Sequence, residues 1–347
     1  MKQRKNLILL DSAPQKEWNF KDFFEKYTKE KWEIRHIDSH IQDSSLAKKI
    51  KFFWFPAKLF VHRKEIGNIL SFQQFYGLIF AWYCSLFHVK KRNKLMVATF
   101  IYRPKKGITG KIYFRFIKYL TNSQYIDKII CFSKSEAAYY ENLFHTISGR
   151  FQYVPYAMGD ALESISFEAE EKQFFVLAPG KSNRDYDFLV DSLKDTAYQV
   201  RILSDTYSRG ETGENIQIFH DVFGKDYLKM LSQCHCVVVP LEDTHISAGQ
   251  LVFLQAMMFG KPVVVTQSDT VGDYIIDRKN GFVIKKDKNE LLRALNILYE
   301  KKETYQKLSE NARQSYLENH GLEKMAERIG MIYSLIKKRS SEIESKK

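Results

Sequence analysis

Cysteine is scarce in this chain, with four residues among 347. No two of them have the C-x-x-C spacing of a zinc or redox site, and four in a chain of this length do not make a disulfide framework. Structural disulfides belong to oxidising compartments, so we expect reduced thiols and a cytoplasmic protein. The four residues are Cys84, Cys131, Cys234 and Cys236.

Long apolar runs are also missing. The longest run, Phe75 to Val89, covers 15 positions and is interrupted by Gly77, Ser85 and His88. A membrane-spanning helix needs about 20 apolar residues, so the sequence predicts no transmembrane segment. The short apolar run near the amino terminus is typical of a first strand rather than of a signal peptide. The 44% hydrophobic and 14% aromatic content excludes global disorder and a coiled coil.

Acidic residues are almost absent from residues 44–126. This stretch contains one, Glu65, against 16 lysines and arginines and 19 aromatic residues, in a chain whose net charge is +13. Such a mixture is typical of contact with an anionic membrane, of nucleic-acid binding, or of a core flanked by solvated charge. No nucleic-acid motif accompanies it, so we favour the membrane surface. The candidate membrane patch comprises Lys48, Lys49, Lys51, Trp54, Lys58, Lys111, Arg115 and Lys118.

Both halves of the chain alternate strands rich in Val, Ile and Leu with helical stretches. This pattern predicts α/β domains whose parallel sheets are covered on both faces. We expect two doubly wound, Rossmann-like domains facing across a cleft, with ligands at the carboxyl ends of the strands. The first domain would cover 1–160 and the second 161–321, joined by an acidic linker within 159–173. The remainder, 322–347, would form a helix that packs back on the first domain, and a polar tail.

A glycine and two cations follow the predicted strand FFVLAP of the second half. Gly180 permits a tight turn, and Lys181 and Arg184 stand at the mouth of the next helix. Helix N-termini attract anions, and arginine can bind two phosphate oxygens at once, so we predict a diphosphate site. Asp185 and Asp187 have the D-x-D spacing of some metal sites. They fall in the first turn of a helix, where acids suit the helix dipole, and we expect no metal there.

A second anion site is predicted in the segment ISAGQLVF (246–253). Ser247 and Gln250 have the spacing of a capping box, with Ser247 as the N-cap. Gly249 leaves the helix mouth uncovered, so a phosphate could approach the N–H groups of Gly249, Gln250 and Leu251.

The residues that follow, LQAMMFGKPVVV (254–265), resemble the donor-binding region of GT-B glycosyltransferases, in particular the large retaining family 4 group. That family's pattern is Glu, seven residues, Glu, then Ala-Met-Ala-x-Gly-x-Pro-Val-Val. The loop GKSNRDYDFLV (180–190) is similar by type to the family's Gly-Arg…Lys-Gly phosphate loop. The resemblance covers about 174–320 well, whereas the first half matches in outline.

Two positions of this chain depart from the family's pattern. The family's two glutamates correspond to Ser247 and Gln255 here. By the resemblance, the first contacts the sugar hydroxyls of the donor and the second contacts the ribose. Gln255 can still form hydrogen bonds to a ribose, whereas Ser247 is too short to replace a glutamate. The sugar contacts are therefore expected from Glu242, Asp243, His245 or backbone N–H groups.

The resemblance implies a retaining glycosyltransferase of the hexosyltransferase type. Catalysis would be mainly stabilisation of the leaving diphosphate by Lys181 and Arg184, with His245 near the sugar. The donor is expected to be a UDP- or GDP-sugar, with no cofactor and no metal ion required. On the acceptor side, Tyr102 and Arg103 stand where the family has a strand-end histidine, and Gln73 is the third candidate.

The basic and aromatic first half favours an acceptor at a membrane. We expect a lipid-linked glycan on the inner face of the cell membrane, in the synthesis of a cell-surface polysaccharide or glycolipid. Two alternatives remain open. One is a non-catalytic partner of another transferase that binds a glycan or a nucleotide sugar. The other is a sugar-nucleotide epimerase with the same two-domain plan, for which the sequence offers no acid–base pair.

Overall fold

Each half of the chain forms its own parallel sheet. The computed structural model describes residues 4–14, 18–37, 45–163, 174–244 and 247–345. The chain divides into a first unit, Met1–Pro155 with Leu322–Lys347, and a second unit, Tyr156–Gly321. The first unit thus ends a few residues before the boundary expected after residue 160. Most of the expected linker, 164–173, lies outside the described residues.

The first unit contains a six-stranded parallel sheet in the order β2-β1-β3-β4-β5-β6. Its elements are β1 Lys5–Leu10, α1 Phe20–Thr28, β2 Trp32–His36, α2 Ser45–Val61, β3 Ile66–Ser71, α3 Gln74–Leu86, β4 Leu95–Val97, α4 Gly107–Thr121, β5 Lys128–Cys131, α5 Lys134–Phe144 and β6 Phe151–Tyr153.

Strand β1, an inner strand of this sheet, shows why the sheet is covered on both faces. Successive side chains of a strand point to opposite faces. Leu7 and Leu9 belong to the hydrophobic core that includes residues of α2 to α5, whereas Ile8, between them, is also fully buried. The consecutive apolar residues 7–9 of β1 are therefore explained by burial on both faces of the sheet, as in other parallel sheets.

Strand β4 is shorter than the sequence predicts. The apolar run 94–100 favours a seven-residue strand, but the strand ends at Val97. Thr99 adopts a left-handed backbone conformation with φ of 68°, which a regular strand does not allow. The chain turns at this point, and residues 98–106 form the loop that leads to α4.

The second unit contains a six-stranded parallel sheet in the order β12-β11-β10-β7-β8-β9. Its elements are β7 Phe175–Pro179, α6 Tyr186–Leu193, β8 Gln199–Leu203, β9 Ile216–Phe219, α7 Gly224–Gln233, β10 Cys236–Val239, α8 Gln250–Met258, β11 Val263–Thr266, β12 Gly281–Ile284, α9 Lys288–Glu300 and α10 Lys302–Asn319.

The inner strands of the second sheet are again buried on two sides. Val237 and Val239 of β10 belong to one hydrophobic core, and Val238 belongs to the other. Strands β10 and β7 are neighbours, so the loops that follow them lie at the same edge of the sheet. This adjacency brings the predicted phosphate loop next to the loop that precedes α8.

The last helix, α11 Leu322–Ser345, belongs to the first unit, where it packs against α1. Tyr333 accepts a hydrogen bond of 2.7 Å from Asn68 and donates one of 2.6 Å to Glu30. Its ring also contacts Trp32 at 5.5 Å between centroids. Gly330 allows close approach, since a Cβ there would lie 3.0 Å from the Cβ of Tyr27. The helix is therefore an integral part of the first unit.

The four cysteine side chains belong to the hydrophobic cores. All four cysteines are free and buried. Burial raises the pKa of the Cys84 thiol to about 12, which keeps that thiol protonated and unreactive. Among the described residues, no helix combines the length and the apolar character needed to cross a membrane.

Candidate functional site

Arg184 is the central cation of the loop that follows β7. Its Nε donates to the carbonyl of Pro179 at 3.3 Å, and its Nη1 donates to that of Ser182 at 2.8 Å. Burial lowers the pKa of the guanidinium, and no described carboxylate forms an ion pair with it. Its own loop thus holds a half-buried cation, without a countercharge, at the carboxyl end of a central strand. Such a group is well placed to receive an anion.

Gly180 makes this position of Arg184 possible. Its φ is +135°, and a Cβ there would lie 2.7 Å from the Nε of Arg184. Any larger residue would therefore displace the guanidinium as well as strain the backbone. Tyr186 stabilises the turn, because its hydroxyl donates a hydrogen bond to the carbonyl of Gly180 at 2.7 Å.

Lys181 has a different set of partners. Its ammonium forms an ion pair with Asp205, which follows β8, and lies 4.8 Å from the ring centroid of Phe223. The hydrogen bond from Lys181, followed by one from the backbone N–H of Asp221, lowers the pKa of the Asp205 carboxyl. Lys181 is therefore neutralised by a carboxylate, whereas Arg184 is not.

The loops after β7 and β10 are joined by a reciprocal pair of hydrogen bonds. The Asn183 amide donates to the carbonyl of Asp243 at 2.9 Å and accepts from its N–H at 2.7 Å. Glu242 and Asp243 are exposed beside this connection. The structure thus brings the phosphate loop and two of the predicted sugar-binding acids to one place. His245 lies outside the described residues.

The two acids of the D-x-D segment have structural partners. Asp185 is the N-cap of α6, where it accepts from the N–H of Phe188 at 2.9 Å, and it also pairs with Lys286 at 2.8 Å. Asp187 accepts a hydrogen bond from the hydroxyl of Tyr207 at 2.9 Å. Helix capping and surface ion pairing account for both carboxylates.

The expectation that Ser247 is the N-cap of α8 is wrong. The N-cap is Gly249, with φ of +94°, and the helix begins at Gln250. Gln250 does reach back, but its amide donates to the hydroxyl of Ser247 rather than to a backbone group. A Cβ on Gly249 would lie 2.6 Å from the ring of Phe253, so glycine is required there on two grounds.

The mouth of α8 keeps the features for which an anion site was predicted. The first N–H groups of a helix have no acceptor within the helix, and those of Gln250 and Leu251 are among them. Leu251 is exposed, so the first turn of the helix faces solvent. No cap side chain bonds to these groups in the structure. Together with the helix dipole they favour a phosphate group at this end.

Gln255 lies one helical turn further on and contacts a residue that sequence reasoning missed. The hydroxyl of Tyr227, on α7, donates to the Oε1 of Gln255 at 3.0 Å. Burial raises the pKa of Tyr227, while the positive charge of Arg184 nearby acts in the opposite direction. The hydrogen bond from Tyr227 orients the predicted ribose contact, and it leaves the amide nitrogen of Gln255 as a donor.

The three acceptor-side candidates have separate positions in the first unit. Gln73 is the N-cap of α3, where its side chain accepts from the N–H of Phe75 at 3.1 Å. Arg103 is exposed. Tyr102 is buried in the core, and its ring stacks on Tyr113 at 5.6 Å. Tyr102 thus packs in the core, and its role on the acceptor side stays a prediction.

The candidate membrane patch is partly exposed on α2 and α4. Trp54 is 58% exposed, and the ammonium of Lys58 lies 5.7 Å from its ring centroid. Lys111 and Arg115 are exposed on α4, whereas Lys51 and Lys118 are half-buried. The side chains of Lys48 and Lys49 lie outside the described residues. Exposed apolar residues that the sequence did not single out accompany these cations, namely Ile50, Phe53, Ile108 and Ile112.

A family model matches the second unit. Residues 206–315 match the family described as glycosyl transferases group 1. The chain is also 24% identical, over 219 residues, to the uncharacterized glycosyltransferase MJ1178 of Methanocaldococcus jannaschii. That match covers 60% of this chain and 59% of the relative, so it spans less than two thirds of the relative's length.

Solved glycosyltransferase structures have the same fold. The chain superposes on HepE of Anabaena, solved in complex with UDP and glucose, with a TM-score of 0.69, 16% identity, and coverage of 96% of this chain and 100% of that one. It superposes on WaaG, a glycosyltransferase involved in lipopolysaccharide biosynthesis, with a TM-score of 0.61, 14% identity, and coverage of 94% and 99%.

These similarities agree with the architecture of the two units. Each unit is a parallel sheet of Rossmann type, and the second carries the matched family region. The chain therefore has the GT-B fold, and its residues 206–315 match the glycosyl transferases group 1 family.

Proposed function

We propose that this protein is a retaining glycosyltransferase that moves a sugar from a nucleotide-diphosphate sugar to a lipid-linked glycan. The observation that carries the proposal is the arrangement around Arg184. This guanidinium has no carboxylate partner among the described residues, and its charge acts on Tyr227, which donates a hydrogen bond to Gln255 on α8. The arrangement suits a ligand with a diphosphate and a ribose.

The proposed chemistry requires charge stabilisation rather than a strong base. When the bond between the sugar and the diphosphate breaks, negative charge develops on the diphosphate oxygens. Arg184 and the N–H groups at the start of α8 would stabilise that charge because they are held in place before the reaction. Lys181 would contribute less, since Asp205 already neutralises it. The amide of Gln255 would orient the ribose.

A UDP-sugar is the donor that we favour. HepE, which has the same fold, was solved in complex with UDP and in complex with UDP-glucose. In this chain, Arg184 and the open first turn of α8 supply donors for two phosphate groups, and Gln255 supplies a hydrogen-bonding group for the ribose. No residue of the proposed site requires a metal ion for this role.

The acceptor is inferred from the surface of the first unit. Exposed apolar side chains on α2 and α4 stand among cations, a combination that favours the interface of an anionic membrane. A lipid-linked glycan in the synthesis of a cell-surface polysaccharide or glycolipid would be presented there. The involvement of WaaG in lipopolysaccharide biosynthesis is consistent with such an acceptor.

A two-stage experiment tests the proposal. Nucleotide sugars are first screened by calorimetry, and the tightest ligand, labelled in its sugar, is then incubated with the protein and membrane extract. We expect a UDP-sugar to bind and its label to enter the lipid fraction with the anomeric configuration retained. Binding without transfer would contradict the proposal that the protein is an enzyme and would favour a non-catalytic partner of another transferase. That alternative has a basis in the sequence, where Ser247 stands in place of a glutamate.

A further inference from the structure

A second charged site lies in the first unit, at the opposite edge of its sheet from Gln73 and Arg103. A cavity of about 220 Å³ opens at the amino-terminal ends of β3 and β4. The turn after α2 and the loop between α3 and β4 form its walls. The proposed donor site is built from residues of the second unit, and none of them lines this cavity.

The walls of this cavity are strongly basic. Five cations line it, and none of its described lining residues carries a carboxylate. One of the five, Lys91, pairs with Asp127 at 2.8 Å. The other four form no ion pair with any carboxylate in the described part of the chain. The five cations are Arg63, Lys64, Lys90, Lys91 and Arg92.

The backbone around the basic loop is tied down by hydrogen bonds. The amide of Asn93 donates to the carbonyls of Ile66 and Gly67 at 2.7 and 2.6 Å. The hydroxyl of Tyr125 donates to the carbonyl of Val89 at 2.5 Å. The loop that carries three of the cations is therefore fixed at both ends, which lowers the entropy cost of binding a ligand.

Arg63 is positioned by an aromatic pair. Its guanidinium lies 4.3 Å from the ring centroid of Phe60 and donates to the carbonyl of that residue at 3.0 Å. Phe87 stacks on the same ring at 5.1 Å. The three side chains form a continuous column, which places an exposed aromatic ring next to the basic cavity.

The column and its neighbours in the chain expose apolar side chains, since Val61 follows Phe60 and Leu86 precedes Phe87. Val61 is 70% exposed, Leu86 is 51% exposed and Phe87 is 59% exposed. Cations beside the carboxyl ends of α2 and α3 would suit the helix dipoles. The dipoles do not account for three large apolar side chains in solvent at the same place. Cations for phosphates together with apolar side chains for the acyl boundary are the combination that binds a membrane surface.

We propose that this cavity binds the phosphate group of an anionic membrane lipid, with Val61, Leu86 and Phe87 inserted at the level of the headgroups. The inference deepens the membrane association of the proposed function and rests on it, but it is independent of the donor site. It identifies one fixed site for a headgroup, whereas the patch on α2 and α4 supplies a diffuse attraction.

The test compares two variants with the same change of charge. The cavity variant carries Arg63→Gln, Lys64→Gln and Arg92→Gln. The control variant carries Lys301→Gln, Lys302→Gln and Lys307→Gln, which are exposed cations of the second unit. Each cation near an anionic membrane contributes about fivefold to partitioning, so the cavity variant should lose about 100-fold in binding to phosphatidylglycerol vesicles. The control should bind as the wild type does. Equal binding by both variants would overturn the proposal.

The apolar residues have a separate test. Val61→Ser with Leu86→Ser removes apolar surface without changing charge and leaves the Phe60 column in place. We expect weaker vesicle binding whose deficit persists at high salt, because insertion does not depend on charge screening. Unchanged binding at both salt concentrations would contradict insertion.

Two further arms separate the possible causes. If soluble glycerol phosphate binds the wild type whereas phosphatidylglycerol vesicles do not, a soluble phosphate ester is the ligand and the lipid source is wrong. UDP-glucose affinity should be the same in the cavity variant and the wild type. A wild type that binds vesicles through the cavity but binds no nucleotide sugar would contradict the proposed function and leave the proposal of a lipid site standing.

If the triple variant fails to fold, a single substitution still tests the site. Arg92→Gln alone, at an exposed position, should weaken vesicle binding about fivefold.

Discussion

Tyr227 on α7 donates a hydrogen bond of 3.0 Å to the side-chain oxygen of Gln255 on α8. The two residues stand 28 positions apart in the chain, and the bond orients the amide of Gln255. Arg184 lies close enough to Tyr227 to influence its pKa. The bond thus links α7 to α8, and the charge of Arg184 acts on the tyrosine of this pair.

The Tyr227–Gln255 bond can be measured by a double-mutant cycle. We expect Tyr227→Phe and Gln255→Leu each to weaken UDP binding, with a coupling free energy of about 1 kcal/mol, as for one hydrogen bond. Gln255→Glu should be tolerated, since a carboxylate also accepts from the tyrosine hydroxyl. Calorimetry with UDP gives these values, and Tyr207→Phe in the same unit is the control. Additive effects of the two variants would show that the bond does not orient Gln255.

Gly249→Ala should destabilise the second unit. The left-handed backbone costs about 1–2 kcal/mol for a residue with a Cβ, and contact with the ring of Phe253 adds to this. Gly210→Ala is a matched control, because nothing lies within 4 Å of a Cβ at that position. Urea unfolding measures both. A loss for Gly249→Ala no greater than that of the control would mean that the turn before α8 is wrongly described.

The two predicted helix starts should respond differently to alanine. Asp185 caps α6 and pairs with Lys286, so Asp185→Ala should lower the free energy of unfolding by about 1–2 kcal/mol. Ser247 does not cap α8, so Ser247→Ala should cost less than that. Thermal unfolding gives the comparison. A loss of sugar transfer in Ser247→Ala with unchanged melting would instead indicate direct contact of the hydroxyl with the donor sugar.

The periodicity of the sequence was sufficient to predict the sheets but not the contacts between loops. Strands such as β10 are apolar at every position because both faces are buried. A short, continuous apolar run is a pattern that can be recognised in the sequence itself. The bonds of Asn183 to Asp243 and of Tyr227 to Gln255 join residues far apart in sequence. No local pattern encodes which polar side chains meet after the sheet has formed.

At particular residues the fold adds what the sequence could not supply, and at one of them it corrects the prediction. Ser247 and Gln250 have capping-box spacing, but the left-handed conformation of Gly249 moved the start of the helix. Tyr102 follows a strand end, where site residues are common. Its ring nevertheless packs against other aromatic rings in the core. Lys181 has the right sequence position for a phosphate contact, and only the fold shows that Asp205 stands beside it.

Membrane attachment through α2 and α4 should depend on salt. Lys58→Gln, Lys111→Gln and Arg115→Gln together should weaken binding to anionic vesicles, because each cation near the surface contributes about 1 kcal/mol. The Debye length falls from about 10 Å at 0.1 M salt to about 3 Å at 1 M, so the difference from the wild type should shrink at high salt. Vesicle sedimentation at two salt concentrations measures this. Equal, negligible binding of the wild type to neutral and anionic vesicles would contradict membrane attachment.

The most direct test of the central claim is calorimetry of UDP binding to Arg184→Gln, beside Lys181→Gln and the exposed control Arg293→Gln. A charge-assisted hydrogen bond contributes about 1.5–3 kcal/mol, so Arg184→Gln should raise the Kd by about 10- to 150-fold. Lys181→Gln should have a smaller effect because Asp205 already neutralises that cation, and Arg293→Gln should have none. An unchanged Kd in a folded Arg184→Gln protein would contradict the assignment of this loop as the diphosphate site.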